Sequence, residues 1–84
     1  MTKILIKFIS LTNLEQYKYD FKLMINPLIK IISIKHCILN YIYNNLSIDN
    51  IELKYNVILN NNKNLLDYNI PAVNELIIYY TIKL

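Results

Sequence analysis

The sequence contains no glycine, no tryptophan and no arginine, and it has one cysteine and one histidine. Without glycine it cannot form the Gly-rich loop that cradles a phosphate. Cys37 has no cysteine to pair with, and with His36 alone it falls short of a zinc ligand set. These absences exclude disulfide scaffolds, zinc modules and P-loop enzymes. They favour a reduced intracellular protein, cytoplasmic or nuclear.

Catalytic residues are also scarce. Neighbouring residues on a helix point about 100° apart, so His36 and Cys37 are badly placed to share a proton or a ligand. The six carboxylates show no paired spacing along the chain: Glu15, Asp20, Asp49, Glu52, Asp67 and Glu75. We therefore expect no enzyme activity, no metal, no cofactor and no small-molecule substrate.

The composition is dominated by Ile, Asn, Lys and Tyr, as expected from an AT-rich genome. The formal net charge is +3, and the lysines are scattered instead of clustered, so nucleic-acid binding is not indicated by charge alone. Lys7 interrupts the apolar start of the chain, which therefore does not resemble a secretory signal. No apolar run approaches the roughly 20 residues that span a bilayer, so no membrane contact is expected.

Two segments before residue 25 show the alternation of apolar residues that is typical of strands. Residues 3–9 read as a strand with Ile4, Ile6 and Phe8 facing inward. After a connection over residues 10–15, a second strand is predicted around residues 16–22, with Tyr17, Tyr19 and Phe21 on one face. The two strands are expected to form a hairpin.

A helical period follows. Asn26-Pro27 is a typical helix start, with Asn as the N-cap and Pro in the first position. The predicted helix continues for about five turns to residues 44–45. Its apolar side is formed by Leu28, Ile31, Ile34, Ile38, Leu39 and Ile42, and its polar stripe by Lys30, Ser33, Cys37, Asn40 and Asn44.

The remaining segments predict short strands at 51–55 and 57–59, a polar turn at 60–64, a compact turn at 65–70 and a long last strand at 75–83. The element order ββαβ(β)β defines an α+β fold in which one helix packs across a mixed sheet. The first and last strands are the most apolar and should lie side by side in the centre. This is a β-grasp, formed by a single domain over residues 1–84.

The last third of the chain resembles ubiquitin. Leu65-Leu66-Asp67-Tyr68-Asn69-Ile70 is followed after six residues by the alternating apolar segment Ile77-Ile78-Tyr79-Tyr80. The first strand, 3–7, is similar to that of ubiquitin in pattern and position. The resemblance implies a ubiquitin-like fold in which Asp67 caps the turn, the Tyr68 hydroxyl binds a nearby loop backbone, and Leu65 and Ile70 close the end of the core. It also places Leu76, Ile78 and Tyr80 toward the helix, and Ile77, Tyr79 and Thr81 outward.

The chain departs from conjugating members of the family, which end in Gly-Gly, whereas this sequence ends in Thr81-Ile82-Lys83-Leu84. A non-conjugated member is therefore expected. Another hypothesis is a protein modifier whose Gly-Gly tail lies beyond Leu84. The Tyr79-Tyr80 pair is also similar to the double tyrosine of the spliceosome-associated, non-conjugated ubiquitin-like protein.

The predicted function is protein binding as a stoichiometric subunit or adaptor of a larger complex. The expected contact residues on the outward sheet face are Leu5, Ile77 and Tyr79 with Lys54, and a second candidate surface on the helix contains Ile29, Ile32 and Tyr43. The alternative is a structural protein of a ribonucleoprotein such as the ribosome. In that case rRNA phosphates would be contacted by Lys3, Lys7, Lys18, Lys22 and Lys54.

Overall fold

The computed structural model describes residues 3–71 and 73–84. Its strands are β1 (Ile4–Ser10), β2 (Phe21–Ile25), β3 (Ile51–Tyr55), β4 (Val57–Ile58) and β5 (Leu76–Ile82), and its helix α1 is Ile31–Tyr41. Short 3-10 turns lie at Glu15–Tyr17, Ile48–Asn50 and Leu65–Tyr68. The predicted element order is confirmed.

The strands form one mixed sheet in the order β2-β1-β5-β3-β4. β1 pairs parallel with β5, while β1–β2, β3–β5 and β3–β4 are antiparallel. The two most apolar strands are therefore neighbours inside the sheet, as expected. The helix α1 connects the first hairpin to the later strands. This is the β-grasp arrangement.

The core lies between one sheet face and α1. Alternate residues of the strands meet the apolar side of the helix, where Ile31, Ile34 and Ile38 are fully buried. The strand residues buried to 4% exposure or less are Ile6, Phe8, Ile25, Ile51, Leu53, Leu76, Ile78, Tyr80 and Ile82. The alternation predicted for β5 is confirmed, because Ile77 and Tyr79 between these residues are exposed.

The second strand was predicted too early in the sequence. Tyr17 belongs to a 3-10 turn and Tyr19 to the connection that follows it, and β2 begins only at Phe21. Tyr17 is nevertheless buried, and its carbonyl accepts a hydrogen bond from the Ser10 hydroxyl at 2.7 Å. The apparent alternation at residues 17, 19 and 21 therefore joins two different local structures.

The helix is shorter than the predicted five turns. Asn26 does not cap it: its Oδ1 accepts from Leu28 N at 2.9 Å and stabilises a turn before the helix. The first helical amides are instead bonded to the loop at residues 61–63, with Ile31 N donating to Lys63 O at 2.8 Å. The apolar period continues on both sides of α1 because single residues beyond its ends also pack against the core: Ile29 before it, and Ile42, Tyr43, Leu46 and Ile48 after it.

Asparagine takes the left-handed positions that glycine usually occupies. Asn56, between β3 and β4, has φ 63°, and Asn69, after the last 3-10 turn, has φ 52°. Asn tolerates this region better than most residues that carry a Cβ. A glycine-free chain can thus make the tight connections that this fold needs.

The segment that resembles ubiquitin is fixed by side-chain bonds. Asp67 Oδ2 accepts from Asn64 N at 3.0 Å, and Asn64 Oδ1 accepts from Asp67 N at 3.2 Å, which forms a reciprocal cap. The Tyr68 hydroxyl accepts from Asn60 N at 2.7 Å, as the resemblance implied. Leu65 is fully buried, and Ile70 packs against the core.

Candidate protein-binding surface on the sheet

The outer sheet face, opposite α1, carries both apolar and cationic side chains. The strand register places Ile9 beside Tyr79, Tyr79 beside Lys54, and Lys54 beside Ile58. Directly paired residues point to the same side of a sheet. This row therefore crosses four strands, with one lysine between two apolar neighbours.

We call the part of this face around Tyr79 the outer patch; it consists of Leu11, Lys54, Ile58, Ile77 and Tyr79. Its apolar members are 39–60% exposed. Leu11 continues the pairing of β1 with β5 beyond Ser10, since its amide donates to Tyr80 O at 2.8 Å. Contiguous exposed apolar residues with a polar rim are typical of interaction surfaces.

An open cleft of about 380 Å³ lies within the outer patch. It is lined by Leu11, Lys54, Asn56 and Tyr79. The left-handed backbone at Asn56 turns the chain from β3 into β4 at the edge of the cleft. The lining therefore combines an ammonium, an amide and a phenol with one aliphatic wall.

Two glutamates, in or next to the sheet, are paired with lysines. Glu52 lies 2.5 Å from Lys83 Nζ, and Glu75 lies 2.9 Å from Lys22 Nζ. In the part of the chain that the structure describes, neither Lys7 nor Lys54 has an ion-pair partner. Lys54 therefore brings to the outer patch a positive charge that has no ion-pair partner among the described residues.

The predicted sheet-face residues are only partly grouped. Ile77, Tyr79 and Lys54 come together, but Leu5 pairs with Met24. Leu5 lies on the same face, four residues from Ile9 along β1, a distance of roughly 13 Å at the rise of a strand. Whether any of these residues binds a partner remains a prediction.

Sequence reasoning missed Leu11 and Ile58. The alternation 5, 7, 9, 11 was visible, but residues 10–15 were assigned to the hairpin connection. Ile58 belongs to a two-residue strand whose register against Lys54 depends on the left-handed turn at Asn56. Because the turn at Asn56 contains no glycine, no sequence pattern indicated how β4 pairs with β3.

The second candidate surface, on the helix side, is not arranged as expected. Tyr43 is only 6% exposed, so its predicted outward position is wrong. The chain leaves α1 after Tyr41 and turns inward, and the Tyr43 hydroxyl lies 2.6 Å from the Tyr80 hydroxyl. Ile29 and Ile32 are half-buried, and Ile29 packs against the core.

The lysines proposed for phosphate contact do not form one cluster. Lys7 and Lys22 are neighbours across β1 and β2, but Lys22 is paired with Glu75. Lys18 lies 3.7 Å from Glu15. Lys3 is exposed before β1, and Lys54 lies two strands from Lys7.

Two buried groups have shifted proton affinities. Burial and the hydrogen bond with Tyr80 raise the pKa of the Tyr43 phenol well above its usual value. Burial lowers the pKa of Lys35, against the opposing effect of Glu52 and Asp49. Both groups lie on the core side, so neither contributes to the outer patch. His36 is exposed and Cys37 half-buried, and the described residues contain no group of three potential metal ligands.

The fold is that of ubiquitin-like domains. Among solved structures, the crystal structure of the UBL domain of Plasmodium falciparum Dsk2 has a TM-score of 0.75 with this chain. The match covers 96% of this chain and 99% of that domain, at 15% sequence identity. No family profile and no curated protein matches the sequence. The sequence resemblance in residues 65–80 and the structure thus lead to the same fold, a ubiquitin-like β-grasp.

Within residues 3–71 and 73–84, no helix is long and apolar enough to cross a membrane.

Proposed function

We propose that this protein is a non-catalytic, ubiquitin-like protein-binding module that serves as a subunit or adaptor of a larger intracellular assembly. The observation that supports this most is the outer patch, where exposed Ile77 and Tyr79 lie on one face of β5 and exposed Ile58 lies on the other side of Lys54 from Tyr79. Such a patch costs solubility unless a partner covers it. The ubiquitin-like fold is consistent with the same role.

The ribonucleoprotein alternative has weaker support. Phosphate binding requires cations that are free to exchange counterions. Two of the five lysines assigned to it, Lys18 and Lys22, are paired with glutamates. The apolar members of the outer patch would also gain nothing from a phosphate backbone.

The experiment is native isolation from the source cells of tagged wild type and Tyr79→Lys. We expect wild type to migrate with a stoichiometric protein partner, and Tyr79→Lys to migrate as a monomer of about ten kilodaltons with an unchanged fold. Tyr41→Lys is the matched control, since Tyr41 is 76% exposed on the helix and should tolerate the change.

Retention of the partner by Tyr79→Lys would contradict the sheet face as the binding surface. Loss of the complex after ribonuclease treatment, with a steep salt dependence, would favour the ribonucleoprotein alternative. A protein partner held by apolar contacts should be much less sensitive to salt.

A further inference from the structure

Another open cleft, of about 330 Å³, lies between the end of α1 and the connection from β1 to β2. We call it the tyrosine cleft; it is lined by Gln16, Tyr19, Tyr41, Ile42 and Tyr43. None of these side chains carries a formal charge. The tyrosine cleft shares no residue with the outer patch, so its ligand is independent of the proposed function, and a substitution in one site should leave the other unchanged.

The tyrosine rings of this cleft are available to a ligand. Tyr41 is 76% exposed and Tyr19 is 54% exposed. The Tyr19 ring stacks on Phe21 with 6.1 Å between the ring centroids, so one of its two faces is covered. The Tyr43 hydroxyl is engaged with the Tyr80 hydroxyl, which leaves the ring of Tyr43 for the cleft. The face of an aromatic ring is electrostatically negative and attracts cations.

The tyrosine cleft also lies at the carboxyl end of α1, where Ile42 is the C-cap residue. The carbonyl groups at this end of a helix carry the negative pole of its dipole and stabilise a nearby cation. The last turn of α1 has no basic side chain. Among the described residues the cation–π contact is that of Lys63 with Tyr68, outside the cleft. Rings and helix end therefore both favour a positive charge that the described residues do not supply.

We propose that the tyrosine cleft binds a quaternary ammonium group, which is found in choline and in trimethylated lysine. An unmodified lysine or arginine side chain needs acceptors for its N–H groups, and the lining has no carboxylate to supply them. A quaternary ammonium has no N–H, and its methyl groups bring the charge into contact with the rings. The cleft volume is near the lower end of the range for ligand pockets, roughly 300–1,000 Å³, which suits a group of this size.

The test is an NMR titration of the isotope-labelled protein with choline chloride. Neohexanol is the matched ligand control, because an uncharged tert-butyl group replaces the trimethylammonium group of choline. Sodium chloride at equal concentration controls for ionic strength. We expect choline to shift the amide signals of residues 16–19 and 41–43 saturably, with a Kd in the millimolar range, and neohexanol to bind at least about fivefold more weakly.

Substitutions in the lining test the role of the rings. Tyr41→Leu and Tyr19→Leu each remove one aromatic ring and should weaken choline binding about three- to fivefold. Tyr41→Phe and Tyr19→Phe keep the ring and should weaken it by less than about twofold. Leu66→Ala, at an exposed position far along the chain, should not affect it. All five positions of change are more than half exposed, so the variants should fold, which circular dichroism verifies.

Equal binding of choline and neohexanol would overturn the proposal, because the cleft would then select apolar groups and not a cation. Leucine variants that bind choline as tightly as wild type would overturn it as well, as would shifts that do not saturate. Where choline binds as expected, a peptide with trimethylated lysine identifies the source of the ammonium group. Tighter binding of the peptide than of choline assigns the ligand to a modified protein, and equal or weaker binding assigns it to a free compound.

Discussion

Tyr79 and Tyr80 are neighbours on β5 with opposite environments. Tyr80 is fully buried, and its hydroxyl donates to the Tyr19 carbonyl and lies 2.6 Å from the Tyr43 hydroxyl. Tyr79 is 39% exposed and lines the cleft beside Lys54. The same contrast separates the two faces of the sheet. The inner face is apolar and packs against α1, whereas the outer face exposes apolar side chains beside Lys54.

This contrast teaches that stability and recognition use different residues of the same strands. The inner face should tolerate little change, because protein interiors are close-packed. The outer face makes few contacts that the fold requires, so its side chains are free to be adapted to a partner. Substitutions at adjacent positions should therefore have separable effects.

The largest effect is expected from Leu76→Asp. Leu76 is 3% exposed, and a carboxylate there would enter the core without a partner, at a cost of more than about 4 kcal/mol. The domain should be unfolded by circular dichroism. Ile77→Asp is the matched control, since Ile77 is exposed on the same strand and its variant should stay folded. A folded Leu76→Asp would contradict the assignment of the inner face.

Tyr80→Phe should have an intermediate effect. Loss of the hydroxyl leaves the Tyr19 carbonyl without its donor and leaves Tyr43 with only a 3.4 Å contact to Tyr17 O. The free energy of unfolding should fall by about 1–3 kcal/mol in urea denaturation. Tyr79→Phe should change it by less than about 0.5 kcal/mol. An equal decrease in the free energy of unfolding in the two variants would show that the inner-face and outer-face hydroxyls contribute equally to stability, which contradicts the comparison.

The pH dependence is a smaller effect and is specific to the inner face. The folded pKa of Tyr43 is raised by burial and by its bond with Tyr80, so the folded protein retains a proton that the unfolded chain releases. The stability from this group is complete below the unfolded tyrosine pKa of about 10 and decreases as pH rises above it.

Urea denaturation across that alkaline range should show a weaker pH dependence for Tyr43→Phe than for wild type. An identical slope in wild type and Tyr43→Phe would mean that the Tyr43 proton is not linked to folding.

Much of the fold could be predicted because the spacing of apolar residues along the chain and the composition agree with it. The alternation in β1 and β5, the apolar side of α1 and the cap at Asp67 are local signals that the structure reproduces. The helix ends and the start of β2 could not be predicted. They depend on bonds between distant segments, such as Ile31 N to Lys63 O, which a local pattern does not show.

The outer patch could be predicted only in part for a similar reason. Outward positions on one strand follow from alternation, but which residues of different strands adjoin depends on register. The register placed Leu5 away from Tyr79 and brought Ile58 beside Lys54. Tyr43 was misplaced because the helix was assumed to continue past Tyr41.

The most direct test of the outer patch is site-specific photo-crosslinking in the source cells. A photoreactive phenylalanine analogue replaces Tyr79 in one version of the protein and Tyr41 in another, since both tyrosines are exposed and they lie on opposite sides of the sheet. We predict one discrete protein crosslink from position 79 and none to that protein from position 41. A crosslink from position 41 with none from position 79 would contradict the outer sheet face as the binding surface.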